Sequence, residues 1–179
     1  MVKHNGATYT AFILDSSGSM AYAADGKKTV YDSISEAVGK YIDQKIQGKS
    51  KCAVINSGRA DATVYSGWKG RKEKHELKRV VGMKGMEGTF FAPFVIESMK
   101  KEAPGKFNVI MISDYNICNI EGTAKALAEV LKDGNKVKLI TTEQDSPEME
   151  FFTEGLKKYG LEDSDIVVLR DVSELSEHL

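Results

Sequence analysis

The chain has few of the residues that define several common classes of protein. Its 179 residues include only two cysteines, three histidines, three prolines and one tryptophan. Cys52 and Cys118 belong to no Cys-x-x-Cys or Cys/His cluster, so we expect two reduced, buried thiols and no zinc site. His4, His75 and His178 are scattered among polar residues, and we expect all three at the surface.

Long apolar runs and an excess of charge of one sign are also missing from the sequence. No apolar stretch reaches the roughly 18 residues that a membrane-spanning helix needs, and residues 1–6 lack the apolar core of a signal peptide. The formal net charge of −1 gives no strong field to attract nucleic acid or an anionic membrane. We therefore expect one domain over residues 1–179, in a cytoplasmic protein without membrane or nucleic-acid partners.

Strand and helix patterns alternate along the whole chain. Apolar runs predict six strands, at 8–14, 51–56, 62–65, 107–113, 136–142 and 165–170. Apolar residues spaced three and four apart, with glycine or proline at the boundaries, predict helices at 29–47, 72–81, 93–102, 121–133, 147–159 and 173–178. Thr29 is expected to cap the first helix, with Asp32 completing a capping box.

This order of elements predicts an α/β fold. The short gap between the second and third strands leaves no room for a crossover helix, so this pair is expected to be an antiparallel hairpin. The other strands are separated by helices and should be parallel. We predict one doubly wound, mostly parallel six-stranded sheet in the order 3-2-1-4-5-6, with strand 3 antiparallel and helices on both faces, a Rossmann-like arrangement.

The segment Asp15-Ser16-Ser17-Gly18-Ser19 carries the most chemical information. It follows the apolar end of the first predicted strand and offers three side-chain oxygens at spacings of two, from Asp15, Ser17 and Ser19. Hard cations such as Mg²⁺ prefer oxygen ligands of this kind. Asp114 follows the fourth predicted strand, and the order of the sheet reverses between the first and fourth strands. Ligands of such sheets bind at that point.

Asp15-x-Ser17-x-Ser19, Thr89 after a glycine, and Asp114 together resemble the metal-ion-dependent adhesion site of von Willebrand factor A domains. The five positions occur in the family's order, and the resemblance covers essentially the whole chain. It implies that Ser17, Ser19 and Thr89 bind the metal through their hydroxyls, and that Asp15 and Asp114 act directly or through water. The metal is expected to be Mg²⁺, with Mn²⁺ or Ca²⁺ as alternatives.

The resemblance also implies a function, which is metal-dependent binding of a protein partner without catalysis. The partner supplies a glutamate or aspartate that completes the metal shell. The ligands are expected on loops outside the core, so that replacing them leaves the fold intact. Tyr115 follows Asp114 where the family often has glycine, which predicts a bulkier loop over the metal.

Aromatic residues flank the predicted ligands and could contact a partner if exposed. Tyr22 and Phe90 are candidates of this kind, as is Tyr115. For the group Phe90, Phe91 and Phe94, the expected role is nevertheless packing in the core beneath the third helix.

Two other functions remain open at this point. A Mg²⁺-dependent hydrolase or phosphoryl-transfer enzyme could use the same metal as a Lewis acid, although the loops offer no histidine base or Walker-type lysine. An RNA-associated Ro-like protein could contain a related domain, although the near-neutral charge of the chain argues against direct RNA binding. A dinucleotide-binding enzyme is disfavoured because the first loop lacks Gly-x-Gly-x-x-Gly.

Overall fold

The computed structural model describes residues 3–4, 6–22, 28–59, 62–85, 88, 91–142 and 146–179. The strands in these ranges are β1 (Lys3–His4), β2 (Ala7–Asp15), β3 (Lys51–Arg59), β4 (Ala62–Tyr65), β5 (Asn108–Ser113), β6 (Lys136–Thr141) and β7 (Ile166–Val168). The α-helices are α1 (Val30–Lys45), α2 (Lys74–Val81), α3 (Pro93–Glu102), α4 (Ile120–Lys132), α5 (Pro147–Lys157) and α6 (Leu175–His178). Short 3₁₀ turns include one at Gly18–Ala21.

The sheet runs in the order β4-β3-β2-β5-β6-β7. Each neighbouring pair along this path is parallel except β3 and β4, which are antiparallel. The predicted order 3-2-1-4-5-6 and the antiparallel third strand are therefore confirmed. The structure adds β1, which pairs antiparallel with the start of β2. Two residues carry too little periodicity for the sequence to indicate such a strand.

Two apolar cores cover the two faces of the sheet. Successive residues of a strand point to opposite faces, and Ala11 and Ile13 of β2 belong to one core while Phe12 and Leu14 belong to the other. Helices α3, α4 and α5 pack on the first face, and α1, α2 and α6 pack on the second. Every residue of β5 is buried, as expected for a continuous apolar run in a sheet that is covered on both sides.

The first helix begins as the sequence predicts. The Thr29 hydroxyl accepts a 3.0 Å hydrogen bond from the Asp32 amide, and the Asp32 carboxylate accepts a 3.1 Å bond from the Thr29 amide. This reciprocal pair satisfies two amides that the helix itself leaves without partners. It fixes the point where α1 begins.

Two expectations about individual side chains are wrong. Phe94 lies on the first turn of α3 with 68% of its surface exposed, whereas its neighbour Phe91 is fully buried. Cys118 is exposed, whereas Cys52 is buried, and both are free thiols. None of the helices within the described ranges has the length and apolar character required to cross a membrane.

Candidate metal centre

The predicted ligands on β2 and β5 meet at one edge of the sheet. These strands are parallel neighbours, with Leu14 opposite Ile112, so Asp15 and Asp114 both follow at their carboxyl ends. From β2 the sheet continues through β3 on one side, and from β5 it continues through β6 on the other. The order therefore reverses between Asp15 and Asp114, which is where open α/β sheets bind ligands.

Asp15 is held by hydrogen bonds to both of its carboxylate oxygens. The Ser113 hydroxyl donates to Oδ2 at 2.6 Å, and the Ser17 amide donates to Oδ1 at 2.9 Å. These two bonds fix the orientation of the carboxylate. Asp15 is fully buried as the last residue of β2, contrary to the expectation of a ligand outside the core.

Ser17 and Ser19 lie on the turn that follows Asp15, and their hydroxyl oxygens are 2.9 Å apart. Ser17 precedes the 3₁₀ turn Gly18–Ala21, which bends the chain so that these two side chains converge. Neighbouring oxygens in an octahedral Mg²⁺ shell, each about 2.1 Å from the ion, lie about 2.9–3.0 Å apart. The observed spacing therefore fits two adjacent Mg²⁺ ligands. Ser17 is buried, whereas Ser19 is exposed.

Asp114 is buried next to the end of β2, in a loop whose next residue, Tyr115, has a positive φ. Its Oδ1 accepts a 3.0 Å hydrogen bond from the Asn116 amide. Tyr115 has a φ of 64°, the left-handed conformation, which costs a residue other than glycine about 1–2 kcal/mol. The position that often carries glycine in the family thus keeps the backbone shape that glycine favours.

The Tyr115 side chain points into the protein and not over the site. It is fully buried, and its ring lies edge-on to Phe152 of α5 with centroids 5.3 Å apart. The expected bulky loop over the metal is therefore wrong.

Helix α5 is attached to the loop after β5 at two points. The first is the ring contact between Tyr115 and Phe152. The second is a 3.4 Å hydrogen bond that Ser146, which caps α5, donates to the Asp114 carbonyl.

Thr89 and Phe90 lie outside the described residues, so the fifth predicted ligand and the expected place of Phe90 remain predictions. Gly88, which precedes Thr89, is described and exposed. A Cβ added to Gly88 would lie 3.6 Å from the Cys118 sulfur, so the chain at Gly88 passes beside the loop that follows β5.

The charge of Asp15 influences the nearby phenols. Burial is the main cause that raises the pKa of Tyr31 above its ordinary value; a hydrogen bond from Asn56 lowers it, and the charge of Asp15 raises it. Burial likewise raises the pKa of Tyr115, to which the charge of Asp15 contributes. Both phenols therefore stay neutral, so they add no competing negative charge around the carboxylates.

The structure identifies three further residues that the sequence-based prediction of the site did not include. Ser113 bonds Asp15 directly, and Ser16 and Asn56 bond each other at 2.7 Å behind the ligand turn. Ser113 ends β5 and Ser16 directly follows β2, which is the signal that could have marked these two, whereas Asn56 is a buried polar residue within β3. The partner of each is distant in the chain, so sequence spacing alone does not connect them.

The donor set of this centre is rich in hydroxyls. No group of three or more His, Cys, Asp or Glu residues that could hold a metal occurs within the described parts of the chain. Among the predicted ligands, Asp15 and Asp114 would supply two carboxylates, and Ser17 and Ser19 would add neutral oxygens. This chemistry fits a hard cation such as Mg²⁺ and does not fit a soft metal that prefers sulfur or nitrogen.

Comparison with known proteins supports the fold through structure and not through sequence. No family model and no curated protein sequence matches the chain. The VWA domain of SpRpn10 has a TM-score of 0.70 and 13% identity, over 97% of this chain and 95% of that one. BatB from Bacteroides thetaiotaomicron has a TM-score of 0.63 and 14% identity, over 96% and 94%.

Proximal thread matrix protein 1 from the mussel byssus has a TM-score of 0.70 and 17% identity, over 96% of this chain and 46% of that chain. At these identities the likeness concerns backbone architecture. Together with the strand order and the helices on both faces, it shows that the chain adopts the von Willebrand factor A fold.

Proposed function

We propose that this protein is a Mg²⁺-dependent protein-binding module that uses the carboxyl edge of its sheet. The observation that carries the proposal is the 2.9 Å spacing of the Ser17 and Ser19 hydroxyls beside the buried Asp15. This cluster lies where the strand order reverses, on a von Willebrand factor A fold. The proposal includes Thr89 and Asp114 as the ligands from the other two loops.

Each ligand has a distinct role in the proposed centre. Asp15 and Asp114 offset the charge of the cation, while the serine hydroxyls and Thr89 provide neutral oxygens. When bound, Mg²⁺ supplies an electrophilic position that a carboxylate can complete. The two carboxylates balance the 2+ charge of the ion, and the neutral hydroxyls leave its coordination shell able to accept one more carboxylate oxygen. The proposed partner is therefore a protein that presents glutamate or aspartate. Mn²⁺ and Ca²⁺ accept the same oxygens and are the alternatives to Mg²⁺.

Two exposed aromatic residues lie on segments next to the ligands and extend the proposed contact surface. Tyr22 follows the turn that carries Ser19, and 73% of its surface is exposed. Phe94 is on the first turn of α3, five positions after Thr89. Exposed aromatic residues are frequent binding hot spots. We propose that they contact apolar groups around the partner's carboxylate.

We propose binding and not catalysis for this centre. Ser16, Ser17 and Ser113 are each hydrogen-bonded within the site. His178 lies beside Thr10 and Asn108, at the opposite edge of the sheet from the ligands. His75 is exposed on α2. Neither histidine is therefore placed to act as a general base for Mg²⁺-assisted hydrolysis.

The experiment pairs metal binding with partner binding. The tagged protein captures partners from a lysate of its source with Mg²⁺ or with chelator, and Ser19→Ala serves as a site variant. Phe94→Ser tests the surface next to the metal. The proposal requires a partner whose capture needs both Mg²⁺ and Ser19, and whose own acidic residue is required. Equal capture of the partner with Mg²⁺ and with chelator would contradict metal dependence. Hydrolysis of a phosphate ester by the wild type but not by Ser19→Ala would contradict the non-enzymatic role.

A further inference from the structure

Ser16 connects the ligand turn to two other segments of the chain. Its amide donates to the Ser57 carbonyl at 2.8 Å, and its hydroxyl donates to Asn56 Oδ1 at 2.7 Å. The same hydroxyl accepts a 3.2 Å bond from the Gly85 amide. Ser16 is buried between Asp15 and Ser17, so these three bonds fix the backbone from which both ligands project.

Asn56 extends this attachment to α1 and α2. Its Nδ2 lies 2.8 Å from the Val80 carbonyl, the Met83 carbonyl and the Tyr31 hydroxyl. Tyr31 in turn donates to the Val81 carbonyl at 2.7 Å. The Nδ2 of Asn56 therefore donates to carbonyls at the end of α2, while its Oδ1 accepts from Ser16. An amide side chain can do both because it carries a donor and an acceptor.

Two glycines let the three backbones pack without side chains between them. A Cβ on Gly58 would lie 2.4 Å from the Ser16 carbonyl, and a Cβ on Gly85 would lie 2.1 Å from the Gly58 carbonyl oxygen. Real Cβ contacts are not this short, so either side chain would push backbone apart. Gly58 also lies at the bulge where the register of β3 and β4 shifts between Ser57 and Arg59. β-Bulges beside functional sites often change the direction of the strand and of its side chains.

We propose that Ser16, Asn56, Gly58 and Gly85 form a clamp that positions the metal ligands. The clamp holds the turn of Asp15, Ser17 and Ser19 against Gly85, which precedes Thr89 by four positions in the sequence. It therefore ties the first ligand turn to the segment that leads to the Thr89 ligand. The expected effect on Mg²⁺ affinity rests on the proposed function, whereas the expected effect on the rigidity of the turn does not. None of the four residues needs to touch the cation, and their role is to position those that do.

Hydrogen exchange and Mg²⁺ titration test the clamp together. The variants are Ser16→Ala, which removes only the hydroxyl, and Gly85→Ala, which inserts a methyl into the backbone contact. Gly39→Ala is the matched control, because Gly39 lies in α1 with nothing within 4 Å of an added Cβ. In metal-free protein, we expect the amides of residues 16–20 to exchange at least about tenfold faster in both clamp variants than in the control. Mg²⁺ affinity should fall by about 10–100-fold.

The outcomes separate the clamp from the proposed function. Exchange at residues 16–20 in Ser16→Ala that equals the control overturns the clamp, even if Gly85→Ala fails to fold. If a clamp variant exchanges faster at residues 16–20 but binds Mg²⁺ as tightly as the wild type, the clamp does not position the metal ligands. Failure of the wild type to bind Mg²⁺ overturns the proposed function instead, and the exchange rates then still decide whether the clamp exists.

Discussion

The Ser113 hydroxyl donates a 2.6 Å hydrogen bond to Asp15 Oδ2 and accepts one of 2.9 Å from the Tyr115 amide. This single side chain joins the ends of β2 and β5 and stabilises the left-handed backbone that follows Asp114. The orientation of Asp15, a predicted ligand, and the backbone geometry at Tyr115 therefore depend on the same hydroxyl.

Ser113→Ala should weaken both metal binding and folding. It removes a bond to a buried carboxylate and leaves the Tyr115 amide without its partner, which should cost about 1–3 kcal/mol in the free energy of unfolding. Loss of the orienting bond to Asp15 should lower Mg²⁺ affinity by about 10–100-fold. Urea unfolding and calorimetric titration measure the two effects. Ser176→Ala on the exposed face of α6 is the control, and equal Mg²⁺ affinity in the two variants would contradict the orienting role.

Ser19→Ala should abolish Mg²⁺ binding without measurable loss of stability. Ser19 is exposed and bonds the Ser17 hydroxyl, so its removal should change the free energy of unfolding by less than about 0.5 kcal/mol. Ser17→Ala should also abolish metal binding but should cost more stability, because Ser17 is buried. Thermal melts with and without Mg²⁺ distinguish the variants. A Mg²⁺-dependent rise in melting temperature that survives in Ser19→Ala would show that its hydroxyl is not a ligand.

Tyr115 should tolerate glycine better than alanine. Either change removes a fully buried ring from Phe152 and should destabilise the protein by about 3–5 kcal/mol, as for other large buried aromatics. Glycine, however, accepts a φ of 64° without strain, which should make Tyr115→Gly more stable than Tyr115→Ala by about 1 kcal/mol. Equilibrium unfolding in urea compares them. An alanine variant as stable as the glycine variant would mean that the left-handed backbone does not persist in solution.

Asp32 should make stability depend on acid pH. Its hydrogen bond to Lys84, and then its bond from the Thr29 amide, lower the pKa of Asp32 from 3.8 to about 2. Because the folded-state pKa is depressed, the stabilisation is present above about pH 4 and is lost as the pH falls toward 2. Asp32→Asn, which keeps an acceptor for Thr29, should destabilise the protein by about 0.3–1 kcal/mol at neutral pH.

The comparison of wild type and Asp32→Asn by urea unfolding should show that difference at pH 7 and none near pH 2. A constant difference at both values would mean that the charge of Asp32 has no part in the effect. Lys84→Met should reproduce the neutral-pH loss, since Lys84 forms the ion pair with Asp32 at 2.6 Å.

Most of the architecture is predictable because buried strands appear in the sequence as short apolar runs, and amphipathic helices appear as apolar residues spaced three and four apart. The continuous apolar run of β5 and the capping pair of Thr29 and Asp32 are local signals, and both are confirmed. The meeting of Asp15 and Asp114 follows from strand order alone. The strand order inferred from these local signals therefore places the predicted ligands at one sheet edge.

Other features depend on tertiary contacts that no local pattern contains. Phe94 is exposed on the outer face of α3, although Phe91 and the adjacent Val95 are buried. The inward rotation of Tyr115 depends on the position of Phe152 in a helix that comes much later in the chain. The Ser16–Asn56 pair likewise joins residues 40 positions apart. Such pairs appear only once the sheet has assembled.

The most direct test of the proposed centre is a crystal of the wild-type protein soaked in Mn²⁺, with an anomalous difference map calculated at the manganese edge. The account predicts one strong peak at the carboxyl edge of β2 and β5, within coordination distance of the Ser17 and Ser19 hydroxyls and near Asp15 and Asp114. A Ser19→Ala crystal treated in the same way should lack it. A map of the wild type with no peak there, or with its peak at another place on the molecule, would contradict the account.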